Sequence, residues 1–284
     1  MQKVGSVTET ADQNGEFTNG NVAQGVPPTI LKAEIFNTWQ RELVGVVESS
    51  GISLDPANDG QLLLAIKKII QQVGNKQARF ETSGNFIVPA GITTVYITAC
   101  AGGGGGGGGG GCIAGGYGGS GGGGGAGYSV VKKAITVTPG ATYAVTIGAA
   151  GQGGIGGTNS GTDGQSGTAG SATSFGTLLN LAGGSGGRFG NGSIAAGAGG
   201  QGGIPGGGDG ADSAGVGGGT GGMGGGGPLG TAGGSGRAGN TVGLDASSGY
   251  GFGTGGGGAG GGYNLAANGG KGSSGTPGLM LIEW

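Results

Sequence analysis

The 284 residues include no histidine, so imidazole acid–base chemistry and histidine-based metal clusters are excluded at the outset. Other titratable side chains are sparse: from Gly148 to Pro277 only Asp163, Arg188, Asp209, Asp212, Arg237, Asp245 and Lys271 carry charge. No pair of carboxylates stands out as a general acid and base. Gly208-Asp209-Gly210-Ala211-Asp212 has the look of a calcium-binding glycine–aspartate repeat. It does not recur at period nine, so a solvated turn is the expectation. Lys271 follows Gly270, yet Gly272 stands where a phosphate-binding loop needs Ser or Thr. Matches to G-x-G-x-x-G are inevitable at this glycine content and carry no weight. Asn191-Gly192-Ser193 fits the glycosylation pattern, which matters only in a secreted chain. An enzyme is not expected, nor a metal or a cofactor.

What remains is recognition. Its candidates are aromatic, arginine and amide side chains set in glycine: Tyr117, Arg188 with Phe189 and Asn191, and Tyr263 with Asn264. Aromatic and arginine side chains dominate interface energies. The competing reading is that each aromatic simply lids the end of a glycine-rich core.

The element that must position them is built on glycine. Ten consecutive glycines fill 102–111; residues 1–100 hold 10 of the 88 glycines, leaving 78 in 101–284. Glycine has no side chain to pack and loses the most backbone entropy on folding, so such a run orders only if its peptide groups find partners. The polyproline II helix allows this, with 3 residues per turn, a rise of about 3.1 Å and outward-pointing N–H and C=O groups. The expected fold is therefore a small N-terminal α-helical segment plus a β framework carrying a polyglycine II helix bundle, a polyglycine sandwich. Disorder is the competing reading, but it sits poorly with so little charge and with an apolar final strand at 279–284. A collagen helix fits less well, because the run breaks any G-X-Y period and there are only 8 prolines. Cys100 and Cys112 flank the run. Twelve extended steps separate them by about 37 Å, far beyond disulfide reach, so two small buried thiols are expected.

Three regions follow from composition: an extended arm at 1–28, a two-helix assembly or attachment region at 29–78, and a β-framed glycine-rich domain at 79–284. Thr29 stands where an N-cap belongs, ahead of Leu31, Ile35, Phe36, Trp39 and Leu43 at helical spacing. Leu62, Ile66, Ile69 and Ile70 mark a second stripe that ends before Gly74. Two such helices cannot bury a core alone, which favours a symmetric oligomer or docking on a partner over an intrachain hairpin. Strand signals appear at Phe86 and Val88, at Val95, Ile97 and Ala99, at 128–137 and 143–147 around a hairpin signal at Pro139-Gly140, at 173–175 and 178–181, and at 279–284. The net charge of −2, without a basic stripe, gives no footprint for nucleic acid. No run of about 18 apolar residues exists for a membrane span, and residues 1–20 lack a hydrophobic signal core, so synthesis in a cytoplasm is expected.

Two stretches resemble tailed-bacteriophage fibre proteins. Asn14-Gly-Glu-Phe-Thr-Asn-Gly20, Pro27-Pro-Thr29, Phe36-Asn37, Gln40-Arg-Glu-Leu43 and Gln61-Leu62 resemble the N-terminal region of phage and prophage tail fibres. Phe86-Ile-Val-Pro-Ala-Gly-Ile-Thr-Thr-Val95, the glycine run, Val137-Thr-Pro-Gly140, Tyr143, Ser174-Phe-Gly176 and the final strand resemble the glycine-rich C-terminal domain of such fibres. The block is also similar in design to the polyglycine-sandwich adhesins at the long-tail-fibre tips of some T-even-like phages. The resemblance implies a virion tail fibre or tail tip whose end turns bind a bacterial surface receptor, protein or polysaccharide. It implies other fibre or baseplate proteins as partners, with trimeric fibre and monomeric tip both open.

Laying glycine-rich segments of about 31 Å alternately up and down from the strands nominates tip turns at 112–117, 158–163, 188–194, 228–229 and 263–268. These give the receptor-contact set Tyr117, Asn159, Asp163, Arg188, Phe189, Asn191, Leu229, Tyr263 and Asn264. Residues 204–214 and 240–248 become turns at the strand end, and an error of register would bring Tyr250 and Phe252 forward instead. A fibre connector that binds nothing, and an ice-binding polyglycine bundle, are the other readings. Bulky Phe189 and Tyr263 count against the latter, since ice recognition needs a flat, regular face.

Overall fold

The computed structural model describes residues 3–73, 76–192, 200–210 and 219–284, and the chain divides into two compact units, Met1–Lys76 and Gln77–Trp284.

The first unit holds helices α1 (Ala33–Ser49) and α2 (Gln61–Val73). Thr29 does not cap α1. Its hydroxyl accepts from Thr18 N–H at 2.8 Å and donates to the Thr10 carbonyl at 3.1 Å, pinning the incoming chain, while the N-cap position falls to Lys32 without a side-chain bond. The arm is accordingly folded rather than extended. Gly5 N–H donates to Gly15 O at 3.1 Å, Asn21 and Val26 pair, and Phe17 meets Trp39 edge-on at 6.0 Å. Val4, Ile35, Val47 and Ala65 are buried. Ile35 therefore belongs to the interior of this unit and is unavailable for assembly, whereas Leu31, Phe36, Trp39, Leu43, Ile66 and Ile70 are exposed and Leu62 and Ile69 half-buried.

The second unit stands on two four-stranded antiparallel sheets. Strands β1 (Gln77–Phe80), β3 (Thr94–Cys100), β4 (Ser129–Thr136) and β10 (Leu279–Glu283) pair in the order β1-β10-β3-β4. Strands β2 (Gly84–Ile87), β5 (Thr142–Thr146), β6 (Thr173–Phe175) and β7 (Leu179–Leu181) pair in that same order. Alternation along the strands supplies the core: Phe86, Val88, Val95, Ile97, Val145, Phe175, Met280 and Ile282 are buried together. Tyr143 stacks on Phe175 at 4.9 Å between centroids. Pro139-Gly140 is not a hairpin turn, because β4 and β5 lie in different sheets. Gly140, at φ +75°, donates to Val88 O and carries the chain across from one sheet to the other. A short pair, β8 (Gly230–Thr231) with β9 (Tyr250–Gly251), lies among the glycine segments.

The sheets run straight into those segments: β3 leads into 102–111, 118–127 into β4, β5 into 148–157, 162–171 into β6, β7 into 183–192, and 268–277 into β10. Every N–H of 102–111 donates to a neighbouring backbone carbonyl, at 2.8–3.1 Å, and the acceptor changes with a period of three. Gly102, Gly105, Gly108 and Gly111 donate to Ser171, Thr168, Gln165 and Thr162; Gly103, Gly106 and Gly109 to Thr276, Ser273 and Gly270; Gly104, Gly107 and Gly110 to Gly125, Gly122 and Gly119. These three partners run antiparallel. Three parallel segments donate back: Gly151, Gly154 and Gly157 to the Gly103, Gly106 and Gly109 carbonyls, with 184–190 and 256–262 filling the other positions. One segment thus bonds to six neighbours, its peptide groups satisfied without a side chain.

Segments 118–127 and 254–262 also have six bonded neighbours each, and nine further segments surround these three among the described residues. Inside, residues are glycine, Ala or Ser, apart from Thr254 at the end of its segment: a Cβ on Gly107 would overlap the Arg188 carbonyl. At the perimeter the rule relaxes to a degree that differs between segments: in 148–157 a Cβ on Gly151, Gly153, Gly154 or Gly156 would still overlap backbone, whereas in 162–171 only every third residue, Gly164, Gly167 and Gly170, must be small. In 243–249 it is Gly243, Ala246 and Gly249 that turn inward, while Leu244, Asp245, Ser247 and Ser248 are exposed.

That relaxed rule corrects the up-and-down count. Residues 207–210 are not a turn but a rising segment, antiparallel to 118–127 through Gly123 N–H to Gly208 O and Ala126 N–H to Pro205 O. Residues 219–227 therefore descend, with Gly222 and Gly225 donating to Gly121 and Gly124 O, and 230–239 rise beside 255–261. Residues 243–248 descend as a further segment, with Leu244 N–H on Arg237 O and Ser247 N–H on Gly234 O. Two segments were unforeseen, so the parity at the final strand still closes. Parts of the expected turns at 188–194 and 204–214, and of the segment from 215, lie outside the described residues.

Candidate functional site

The ends of the block differ in their relation to the rest of the chain. The chain enters the second unit at Gln77, opposite Glu283, and Phe80 lies opposite Met280. Leu279 and Cys100, which pair with each other, sit where the strands meet the glycine segments. The turns that close 102–111 and its neighbours therefore lie at the end remote from Gln77, beyond both the strands and the segments.

Four described turns meet there. In 112–117 and 263–267 the backbones interlock: Cys112 pairs with Ala267 and Tyr117 with Tyr263, Gly115 N–H donates to Asn264 O at 2.7 Å, and Asn264 N–H to Gly116 O at 3.0 Å. Asn264 adopts φ +59°, a left-handed conformation that asparagine tolerates, and its side chain is exposed. The Tyr117 and Tyr263 rings pack at 5.3 Å between centroids, both half-buried. Cys112 donates its thiol proton to Leu265 O at 3.1 Å. It is free, as is Cys100 at the opposite end of the run, where burial pushes the thiol up to about 11 against a backbone hydrogen bond at Leu279 that lowers it.

The turn at 158–163 is held by Thr158, whose hydroxyl meets Ser160 at 2.7 Å and Thr162 at 3.0 Å. Asn159 N–H donates to Asn268 Oδ1 at 2.7 Å, tying this turn to the 263–268 turn, and Gly192 N–H donates to Asp163 Oδ1 at 2.7 Å. The fourth turn, Asn240–Val242, is not at the strand end, where glycine spacing alone puts it. It lies with the others: Tyr263 N–H donates to Gly239 O and Val242 pairs with Asn268.

The structure thus brings Tyr117, Asn159, Asp163, Tyr263 and Asn264 to one end. Arg188, Phe189 and Asn191 lie within a glycine segment, not on a turn, since Arg188 N–H reaches Gln201 O and its carbonyl accepts from Gly122; Asn191 still adjoins the 158–163 turn through Gly192. Leu229 is at the strand end, where its carbonyl accepts from Phe252 N–H beside Gly253, whose N–H reaches Pro277 O. Asn240, Thr241 and Val242 were missed because 243–248 holds a single glycine; its inward Gly243 and Ala246, three apart, were the available signal.

A family model described as glycine-rich domain matches residues 81–283. The chain belongs to the glycine-rich domain family. That assignment covers every glycine segment and all of both sheets except β1, which ends at Phe80. In Escherichia coli (strain K12), the uncharacterized protein StfP is 38% identical over 74 residues, which are 26% of this chain and 35% of that protein. The chain thus spans about a third of the length of this curated relative. No helix among the described residues is long and apolar enough to cross a membrane, and no group of three or more metal-ligating side chains is found among them.

Proposed function

We propose that this glycine-rich protein is a bacteriophage tail-fibre or tail-tip adhesin that binds a bacterial surface receptor without catalysis. The block is read as a polyglycine II bundle, supported by hydrogen bonding that repeats every three residues and rotates through six neighbours. The exposed apolar side chains of the first unit, Leu31 ahead of α1 and Phe36, Trp39, Leu43, Ile66 and Ile70 on the helices, are read as the assembly or attachment surface. The observation that carries the reading is directional: the chain arrives at Gln77, and the turns bearing Tyr117, Asn159, Tyr263 and Asn264 stand at the opposite end. A scaffold that fixes its turns through main-chain bonds loses little entropy on binding, and turn sequences can vary without touching the lattice. Synthesis in the host cytoplasm and incorporation into the virion tail follow from this reading.

Labelled full-length chain and a panel of bacterial strains test it. Replacing Tyr117 and Tyr263 together by alanine should abolish cell binding with the unfolding temperature little changed, while Tyr250→Ala at the strand end should bind as the parent does. Loss with Tyr250→Ala and retention with the double variant would reverse the assignment of ends. Binding to no strain would favour a connector.

A further inference from the structure

Beside the interlocked turns runs a groove of about 450 Å³, lined by Thr220, Arg237, Asn240, Thr241, Val242 and Leu244 together with the 238–239 backbone. Three glycine segments and the Asn240–Val242 turn fix its walls: Thr220 and Arg237 pair across two of them, Leu244 N–H holds Arg237 O, and Tyr263 N–H holds Gly239 O at its rim. Arg237 is exposed, and the ion pairs formed among the described residues, Lys3–Glu16, Arg79–Glu81 and Lys132–Glu283, do not include it. The neighbouring carboxylate, Asp245, is directed to Lys271 N–H at 2.6 Å. Asn240 and Thr241 are exposed and make no side-chain hydrogen bond among the described residues, and Val242 and Leu244 present apolar surface 45% and 43% exposed.

We infer that this groove binds an acidic saccharide, a sugar bearing a carboxylate or phosphate, as the chemical class of receptor for the adhesin read above. The inference rests on that reading for its biological setting but not for its chemistry. A guanidinium offers a planar fork of donors matched to the oxygens of carboxylate or phosphate. Amide and hydroxyl groups at Asn240, Thr241 and Thr220 suit ring hydroxyls, and Val242 and Leu244 suit the C–H face of a sugar ring. The volume falls in the range of small-ligand sites and accommodates a short saccharide rather than a protein surface. Walls made of cross-bonded backbone do not yield, which favours a ligand as stiff as a pyranose.

The test uses full-length chain with four probes followed by ligand-observed NMR: trigalacturonate against uncharged maltotriose, and glucose 6-phosphate against glucose. At least one acidic probe should bind about tenfold or more tightly than its uncharged counterpart. Arg237→Gln should remove the preference, and Arg237→Lys should keep part of it. Preference for trigalacturonate points to uronic-acid capsule as the source, and for glucose 6-phosphate to phosphorylated lipopolysaccharide core. Equal binding of charged and uncharged probes, binding of none, or an Arg237→Gln variant that keeps the preference would overturn the inference. Cell binding separates the two proposals. Parent and Arg237→Gln chains adsorbing alike would overturn the groove and leave the adhesin. A parent that binds no strain yet selects acidic probes through Arg237 would retain the groove and reject the adhesin.

Discussion

At the scale of single residues, glycine is required by space inside the block and at the inward positions of its perimeter, but not where the chain leaves the packed segments, as at Gly227. A Cβ on Gly107 meets the Arg188 carbonyl, whereas one on Gly227 meets nothing within 4 Å. Gly107→Ala should therefore destabilise by about 3 kcal/mol or more, because backbone rather than a mobile side chain must move. Gly227→Ala should stay within about 0.5 kcal/mol; chemical denaturation measures both. Cys100 gives a second residue-level expectation. Its folded thiol holds the proton up to about pH 11, above its ordinary value near 9.0. The folded state thus binds more protons than the unfolded state between those values, so this contribution is intact below pH 9 and lost as pH rises through 11. The loss is at most about 3 kcal/mol. Cys100→Ala should flatten that part of the stability profile, and a parent profile already flat between pH 9 and 11 would contradict the assignment.

At the scale of elements, what the sequence revealed depended on how each element states its rule. Strand 94–100 is announced by alternation, 279–283 by a continuous apolar run, and the central glycine run by excluding any side chain. The least covered perimeter segments need a small residue only every third position, so 243–248, with Leu244, Asp245 and two serines, reads as a turn. The Pro139-Gly140 turn is a local signal that specifies a reversal but not which sheet receives the next strand. Thr29 shows the same limit, since a residue suited to capping is drawn away by Thr18 and Thr10 from distant parts of the arm. Tyr117, Asn159, Tyr263 and Asn264 are legible because recognisable strands fix their parity: β3 and β4 on either side of the first, β5 and β6 of the second, and β10 after the last two. Leu229 is not, lying after an unrecognised segment. The period of three yields a prediction at this scale. Deleting one glycine from 102–111 rotates every later donor to the wrong neighbour and should abolish cooperative unfolding. Three residues inserted between Asn159 and Gly161 should shift the melting temperature by only a few degrees, as calorimetry can show.

At the scale of the whole molecule, the two units face different tasks. The sheets bury a conventional apolar core, while the block beyond them gains its order from peptide groups and leaves its outward side chains unconstrained. The first unit, by contrast, leaves seven large apolar side chains of its helices exposed, at 36, 39, 43, 63, 64, 66 and 70, with Leu31 exposed just ahead of α1. If these assemble the fibre, light scattering should find a multimer that Phe36→Asp with Ile66→Asp shifts to monomer; a monomeric parent would assign the face to a different tail protein. Everything proposed for the turns requires the glycine segments to be a fixed lattice in solution. Amide hydrogen exchange across 102–111, followed by NMR, tests that most directly. The lattice predicts protection approaching that of global unfolding at every glycine from 102 to 111, equal to that of the buried strand 94–100. Exchange at the rate of a free chain while the strands stay protected would contradict it.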